Sequence, residues 1–148
     1  MKILLTVHQY LPRHRAGTEV FTHSLAKRLA ERHEVLVYTH EATLDNSDWP
    51  GVTEEYDGVR VRRVAAWLGQ QRLMPWQVFR YSYNNPLIEA DFAQILRDFA
   101  PDVVHVQHLK DLSVGILGKT AEAGIPLLMT LHDYWALCPN AQFIRPDA

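Results

Sequence analysis

The run Lys2-Ile-Leu-Leu-Thr-Val7 is apolar at nearly every position, and apolar residues then return at helical spacing as Phe21, Leu25 and Leu29. A strand that is apolar throughout, rather than at alternate residues, must be covered on both faces, as happens in a parallel sheet. Between the two lies a loop, 8–16, carrying Pro12, Arg13, His14 and Arg15 and ending at Gly17-Thr18-Glu19. That order predicts a β-strand, a βα turn and a helix over 17–31. Such a helix aims its first N–H groups and the positive end of its dipole at the strand's carboxyl edge, where open α/β folds bind anions.

The rest of the chain continues the pattern. Residues 34–39 read as a second apolar strand, so the first three elements form a right-handed crossover unit. The acidic stretch 41–57 reads as a surface loop. It closes into a strand pair around Tyr56-Asp57-Gly58-Val59, because Asp-Gly favours a hairpin turn. Residues 66–85 crowd aromatic and apolar side chains with only Arg72 and Arg80 charged, a composition that suits core cover, a partner surface or an interfacial segment. Asn85-Pro86 opens a helix, with Asn as N-cap and Pro at the first position. Its stripe is Ile88, Phe92, Ile95, Leu96 and Phe99, and Pro101 ends it. Strands at 102–108 and 127–131 flank a helix at 111–123, whose Gly115 and Gly118 are expected to allow close packing on the sheet. The fold expected is α/β: a Rossmann-like open parallel sheet with helices on both faces and a small β-hairpin excursion.

At 148 residues the chain suits a single domain. Its net charge of −2 argues against nucleic acid as a partner, but the distribution is uneven: +3 over 1–40, −6 over 41–58, +5 over 59–85 and −4 over 86–148. Anionic ligands are therefore expected near the first turn or the middle of the chain. One cysteine, Cys138, permits no intrachain disulfide and fits a cytoplasmic location.

Four strands each end at a histidine: His8, His40, His108 and His132. Carboxyl edges of parallel strands lie side by side, so the four are expected to converge on one cleft. No metal or cofactor is expected, for there is no His-x-x-x-His helix and no Cys pair. Gly-x-Ser-x-Gly, Gly-x-Gly-x-x-Gly and P-loop signatures are absent as well. The residues alone leave open a non-catalytic interaction module using 67–83 and a metal-dependent hydrolase using the rim histidines.

The segments His8-Gln-Tyr-Leu-Pro12, Ala16-Gly-Thr-Glu19, Pro101-Asp-Val-Val-His105-Val-Gln-His108 and Thr130-Leu-His-Asp-Tyr-Trp135 resemble the N-terminal, acceptor-side domain of family 4 retaining glycosyltransferases of GT-B architecture. The resemblance covers nearly the whole chain. It implies transfer of a sugar from a nucleotide-sugar donor to a glycan or lipid-linked acceptor in bacterial envelope or exopolysaccharide synthesis, with peripheral membrane contact among its expected partners. It implies that His132 touches the transferred sugar and steadies positive charge at the anomeric carbon. Where the family has Gly-Gly-x-Glu approaching the donor diphosphate, Ala16-Gly17 replaces the pair, so Gly17 and Thr18 are the donor-diphosphate candidates. His8, Tyr10, Arg13, His108 and Asp133 are candidates for the acceptor. The family's second domain, which holds most of the nucleotide, has no match in 1–148, so these residues alone are expected to be inactive.

Overall fold

The structure is a computed structural model and describes residues 1–41, 44, 51–65, 74–138 and 141. The elements are β1 (Lys2–Val7), α1 (Gly17–Ala30), β2 (Glu34–His40), β3 (Gly51–Tyr56), β4 (Val59–Val64), α2 (Pro75–Tyr83), α3 (Pro86–Phe99), β5 (Val103–Val106), α4 (Gly115–Glu122) and β6 (Leu127–Met129). They build one six-stranded sheet in the order β3-β4-β2-β1-β5-β6. All neighbours pair in parallel except β3, which runs antiparallel to β4 at one edge.

Side chains of β1 alternate between two cores, which is why the whole strand is apolar. Ile3, Leu5 and Val7 join Val35, Val37 and Val61 beneath α1, while Leu4 joins Leu36, Tyr38, Val104 and Val106 beneath α3 and α4. Burial on both faces makes β1 the middle of the sheet and sets its carboxyl end at the middle of one rim.

The hairpin read as an excursion is built into the sheet: β4 pairs with β2 from Leu36↔Arg60 to His40↔Val64. Val59, Val61 and Val64 are buried there, so the strand is half core and could not stand off as a surface ribbon. Asp57 (φ 48°) and Gly58 (φ 78°) supply the left-handed turn. In α1 the line facing the sheet is Glu19, Thr22 and Ala26, one position displaced from the expected stripe; Phe21 is 48% exposed. Small residues let the helix lie close on β1, and Leu25 and Leu29 pack along its flank.

Asn85 caps α3 as expected, its side chain accepting from the Leu87 and Ile88 N–H groups. The helix at 111–123 is shorter than expected, because Asp111 (φ 60°) and Ser113 (φ 76°) bend the chain before Gly115. Gly115 packs against α3 rather than the sheet: a Cβ there would lie 2.2 Å from Glu89 Oε1, whereas Gly118 has nothing within 4 Å. The last strand is shorter than 127–131 and less buried, with Leu127 43% and Leu128 56% exposed, since it forms the open edge. Within 66–85, α2 occupies Pro75–Tyr83, and 66–73 lie outside the described residues.

Candidate functional site

Five parallel strands point their carboxyl ends at one rim. The loop 8–16 leaves from β1, and Gln107-His108 and Thr130 to Asp133 leave from β5 and β6. His8 and His108 follow adjacent strands, and their rings meet at 4.4 Å between centroids. Behind them Glu19, 2% exposed on the first turn of α1, joins loop and helix. Its Oε2 accepts the Ala16 N–H at 3.0 Å and its Oε1 lies 3.2 Å from His8 Nε2. Ala16 has no side-chain acceptor to cap the helix, so Glu19 supplies the reciprocal half of a capping box. The first helical bond runs from Val20 N–H to Ala16 C=O, so the Gly17 and Thr18 N–H groups precede the intrahelical ladder. A Cβ at Gly17 would meet nothing within 4 Å, which leaves the approach to that helix end open.

Opposite stands the β6 turn. His108 Nδ1 accepts the Lys110 N–H at 3.1 Å, which places the ring proton on Nε2, 3.1 Å from Asp133 Oδ2. Asp133 also accepts the Trp135 N–H at 2.8 Å. Burial alone would raise the Asp133 carboxyl; the Trp135 N–H and the His108 bond outweigh it and hold the group below the ordinary carboxylate value. His132 Nε2 lies 2.8 Å from Gln107 Oε1, so the neutral ring donates to that amide oxygen and keeps Nδ1 as an acceptor. Its ring also packs edge-on to Phe21 of α1 at 5.1 Å, which brings the β6 turn against the start of α1.

Two of the imidazoles, His8 and His132, are held below the ordinary histidine value. Desolvation, then the charges of His108 and Lys110, push His8 down to about 3. Desolvation first and His108 second also lower His132. Neutral His8 and His132 beside an ionised Asp133 form a surface that accepts and donates hydrogen bonds at neutral pH.

The structure thus gathers His8, His108, His132 and Asp133 around the start of α1. His40 lies apart: it is buried at the end of β2, lowered by desolvation and facing Asp111, Glu41 and His14. Tyr10 is also away from the rim. It is fully buried, its hydroxyl 2.9 Å from His23 Nδ1 beneath the loop, so the acceptor role expected for it does not fit this arrangement. Arg13 reaches Glu41 Oε2 at 3.4 Å, on the β2 side of the loop. Glu19, Gln107, Phe21 and Trp135 complete the site without having been singled out. The acidic residue at the third helical position was the one readable signal among them, since the others depend on pairings between distant strands.

Among the described residues no group of three or more His, Cys, Asp or Glu side chains is placed to hold a metal ion, and no helix is long and apolar enough to cross a membrane.

Residues 16–146 match the family described as glycosyl transferase 4-like domain. An uncharacterized 42.6 kDa protein in the cps region of Klebsiella pneumoniae is 25% identical over 156 residues, covering 98% of this chain and 40% of that protein. A solved structure described as trehalose-6-phosphate from E. coli bound with UDP-2-fluoro glucose superposes with a TM-score of 0.54 at 11% identity, over 90% of this chain and 33% of that one. The chain therefore spans less than half the length of either. With its Rossmann-like sheet and the match over 16–146, the chain belongs to the glycosyl transferase 4-like family.

Proposed function

We propose that this domain forms the acceptor side of a retaining glycosyltransferase, which moves a sugar from a nucleotide-sugar donor to a glycan or lipid-linked acceptor in envelope or exopolysaccharide synthesis. The observation that carries the reading is the facing pair at the rim: the first turn of α1 with its open Gly17, and the turn holding His132 and Asp133, joined through Phe21. A leaving diphosphate would meet the Gly17 and Thr18 amides and the helix dipole, a fixed electrostatic stabilisation that needs no reorganisation during reaction. Neutral His132 would offer Nδ1 to a hydroxyl of the transferred sugar. His8, His108 and Asp133 would receive the acceptor, with Arg13 on the far side of the loop. The nucleotide would sit mostly on a second domain outside 1–148. Support comes from the family match, from the nucleotide sugar named in the similar solved structure, and from the cps region in which the relative is encoded.

The test is turnover by the full-length protein with a panel of nucleotide sugars, before and after His132→Ala. A loss of tenfold or more, about 1.4 kcal/mol of transition-state stabilisation, is expected. An unchanged rate removes His132 from the site. The 148-residue chain alone is expected to transfer no sugar.

A further inference from the structure

Loop 8–16 forms one wall of the rim, and three contacts hold it. The Ala16 N–H donates to Glu19 Oε2, and Arg63 Nη2 donates to the Leu11 carbonyl. The third contact belongs to Tyr10, a side chain that the loop turns inward. Tyr10 is fully buried, and its hydroxyl lies 2.9 Å from Nδ1 of His23, in the middle of α1. His23 Nε2 lies 3.1 Å from Asp57 Oδ2 at the β3–β4 turn, and Lys27 Nζ donates to the same oxygen at 2.7 Å. Rings close around the pair: Tyr56 stands edge-on to Tyr10 at 6.5 Å and tilted to His23 at 5.3 Å, and the Arg63 guanidinium sits 6.0 Å over the Tyr10 ring.

Each group in this chain of contacts has a fixed part. Burial pushes the Tyr10 phenol well above its ordinary value, so the hydroxyl keeps its proton and donates it. His23 Nδ1 is then the acceptor, and the ring proton sits on Nε2, facing Asp57. Hydrogen bonds from Lys27 and then His23 hold the Asp57 carboxyl below its ordinary value, which keeps it an acceptor. A phenylalanine ring would fill the same space as Tyr10. The hydroxyl adds a directional bond, and its loss leaves Nδ1 of His23, whose side chain is only 12% exposed, without that partner.

We infer that Tyr10 is a positioning residue for the rim and His23 its anchor: their bond sets the course of the loop between β1 and the Gly17 end of α1. His8 stands two residues before Tyr10, and its place 3.2 Å from Glu19 Oε1 and against the His108 ring depends on how the loop leaves β1. A displacement of about 1 Å in positioning groups can cost on the order of a hundredfold in rate. Tyr10 thus acts through His8 and touches no substrate. The inference rests on the glycosyl-transfer reading for its effect on turnover, and it adds that the first loop is preformed.

Amide hydrogen exchange of the full-length protein, read on peptides covering 8–16 and 34–40, tests the anchor, and turnover of a panel of nucleotide sugars tests its consequence. Tyr10→Phe keeps the ring and removes the bond. Exchange over 8–16 should quicken tenfold or more, while 34–40, paired on both sides within the sheet, stays unchanged. His23→Leu should do the same. His23→Asn, whose side-chain oxygen stands near the position of Nδ1, should restore most of the protection and of the turnover. In Tyr10→Phe kcat should fall tenfold or more with the KM for the nucleotide sugar within twofold, because Glu19 holds the Gly17 end independently. Unchanged exchange over 8–16, an equal rise over 34–40, or His23→Asn no better than His23→Leu overturns the inference. So does a loosened loop with unchanged kcat. If turnover is present and exchange does not respond, the anchor alone is wrong. If the wild-type protein turns over no nucleotide sugar while exchange responds as expected, the anchor stands and the glycosyl-transfer reading is what fails.

Discussion

Replacing Arg63 by methionine tests whether the first loop is held from the middle of the chain. Arg63 is fully buried on β4. Its Nε lies 2.5 Å from Glu54 Oε1, its Nη2 donates to the Leu11 carbonyl, its Nη1 lies 3.8 Å from Glu41 Oε2, and its guanidinium sits over the Tyr10 ring at 6.0 Å. Glu54 is 38% exposed, so its loss contributes no more than about 1 kcal/mol. Glu41 is fully buried, and removing one partner of a buried pair costs roughly 3–5 kcal/mol, because the remaining charge stays desolvated. The bond to Leu11 overlaps with that figure rather than adding to it. Arg13 at 3.4 Å and His14 at 3.7 Å still approach Glu41, which places the expected cost near the lower end, about 3 kcal/mol. For a domain of this size each kcal/mol moves the midpoint by roughly 2–4 °C, so a fall of about 6–12 °C is expected by circular dichroism. The double variant Arg63→Met/Glu41→Leu should recover most of the loss, since an apolar pair of similar volume replaces a buried ion pair at little cost. A single variant within about 2 °C of wild type, or a double variant worse than the sum of its parts, would refute the account of a buried charge clamp.

Three further outcomes follow from the geometry. Gln107→Glu places a carboxylate 2.8 Å from His132 and favours its protonated form; the acid limb of the full-length enzyme's pH–rate profile should move up by about one unit or more, while Gln107→Leu should lower turnover without that shift. His8, His40, His105 and His132 are all lowered by burial, so below the unfolded value of about 6.5 the unfolded chain binds more protons. Stability should be complete above that pH and fall as pH drops from 6.5 towards 3, and urea midpoints should show a shallower fall for His8→Gln. A Cβ at Gly51 would lie 2.2 Å from the Arg63 carbonyl oxygen, so Gly51→Ala should lower stability by roughly 1–3 kcal/mol. Gly118→Ala, in open space within α4, should raise it by up to about 1 kcal/mol. Chemical denaturation of both variants checks the contrast.

Elements whose signals are local were legible without coordinates. The two-sided burial of β1 follows from its unbroken apolar run, the hairpin from Asp57-Gly58, and the start of α3 from Asn85-Pro86. The sequence also determined that His8, His108 and His132 stand at strand ends, because a strand's end is marked by the loss of its own pattern. Only the tertiary structure decided which of them meet. His132 reaches Gln107, 25 residues earlier, because β6 lies beside β5 in parallel register. Arg63 reaches Leu11 across 52 residues because the hairpin docks on β2 rather than projecting from it. Tyr10 turns inward and His40 stands apart for the same reason: sheet order and register are set by burying both faces at once. No periodicity within a single segment records the side chain it will face across the sheet.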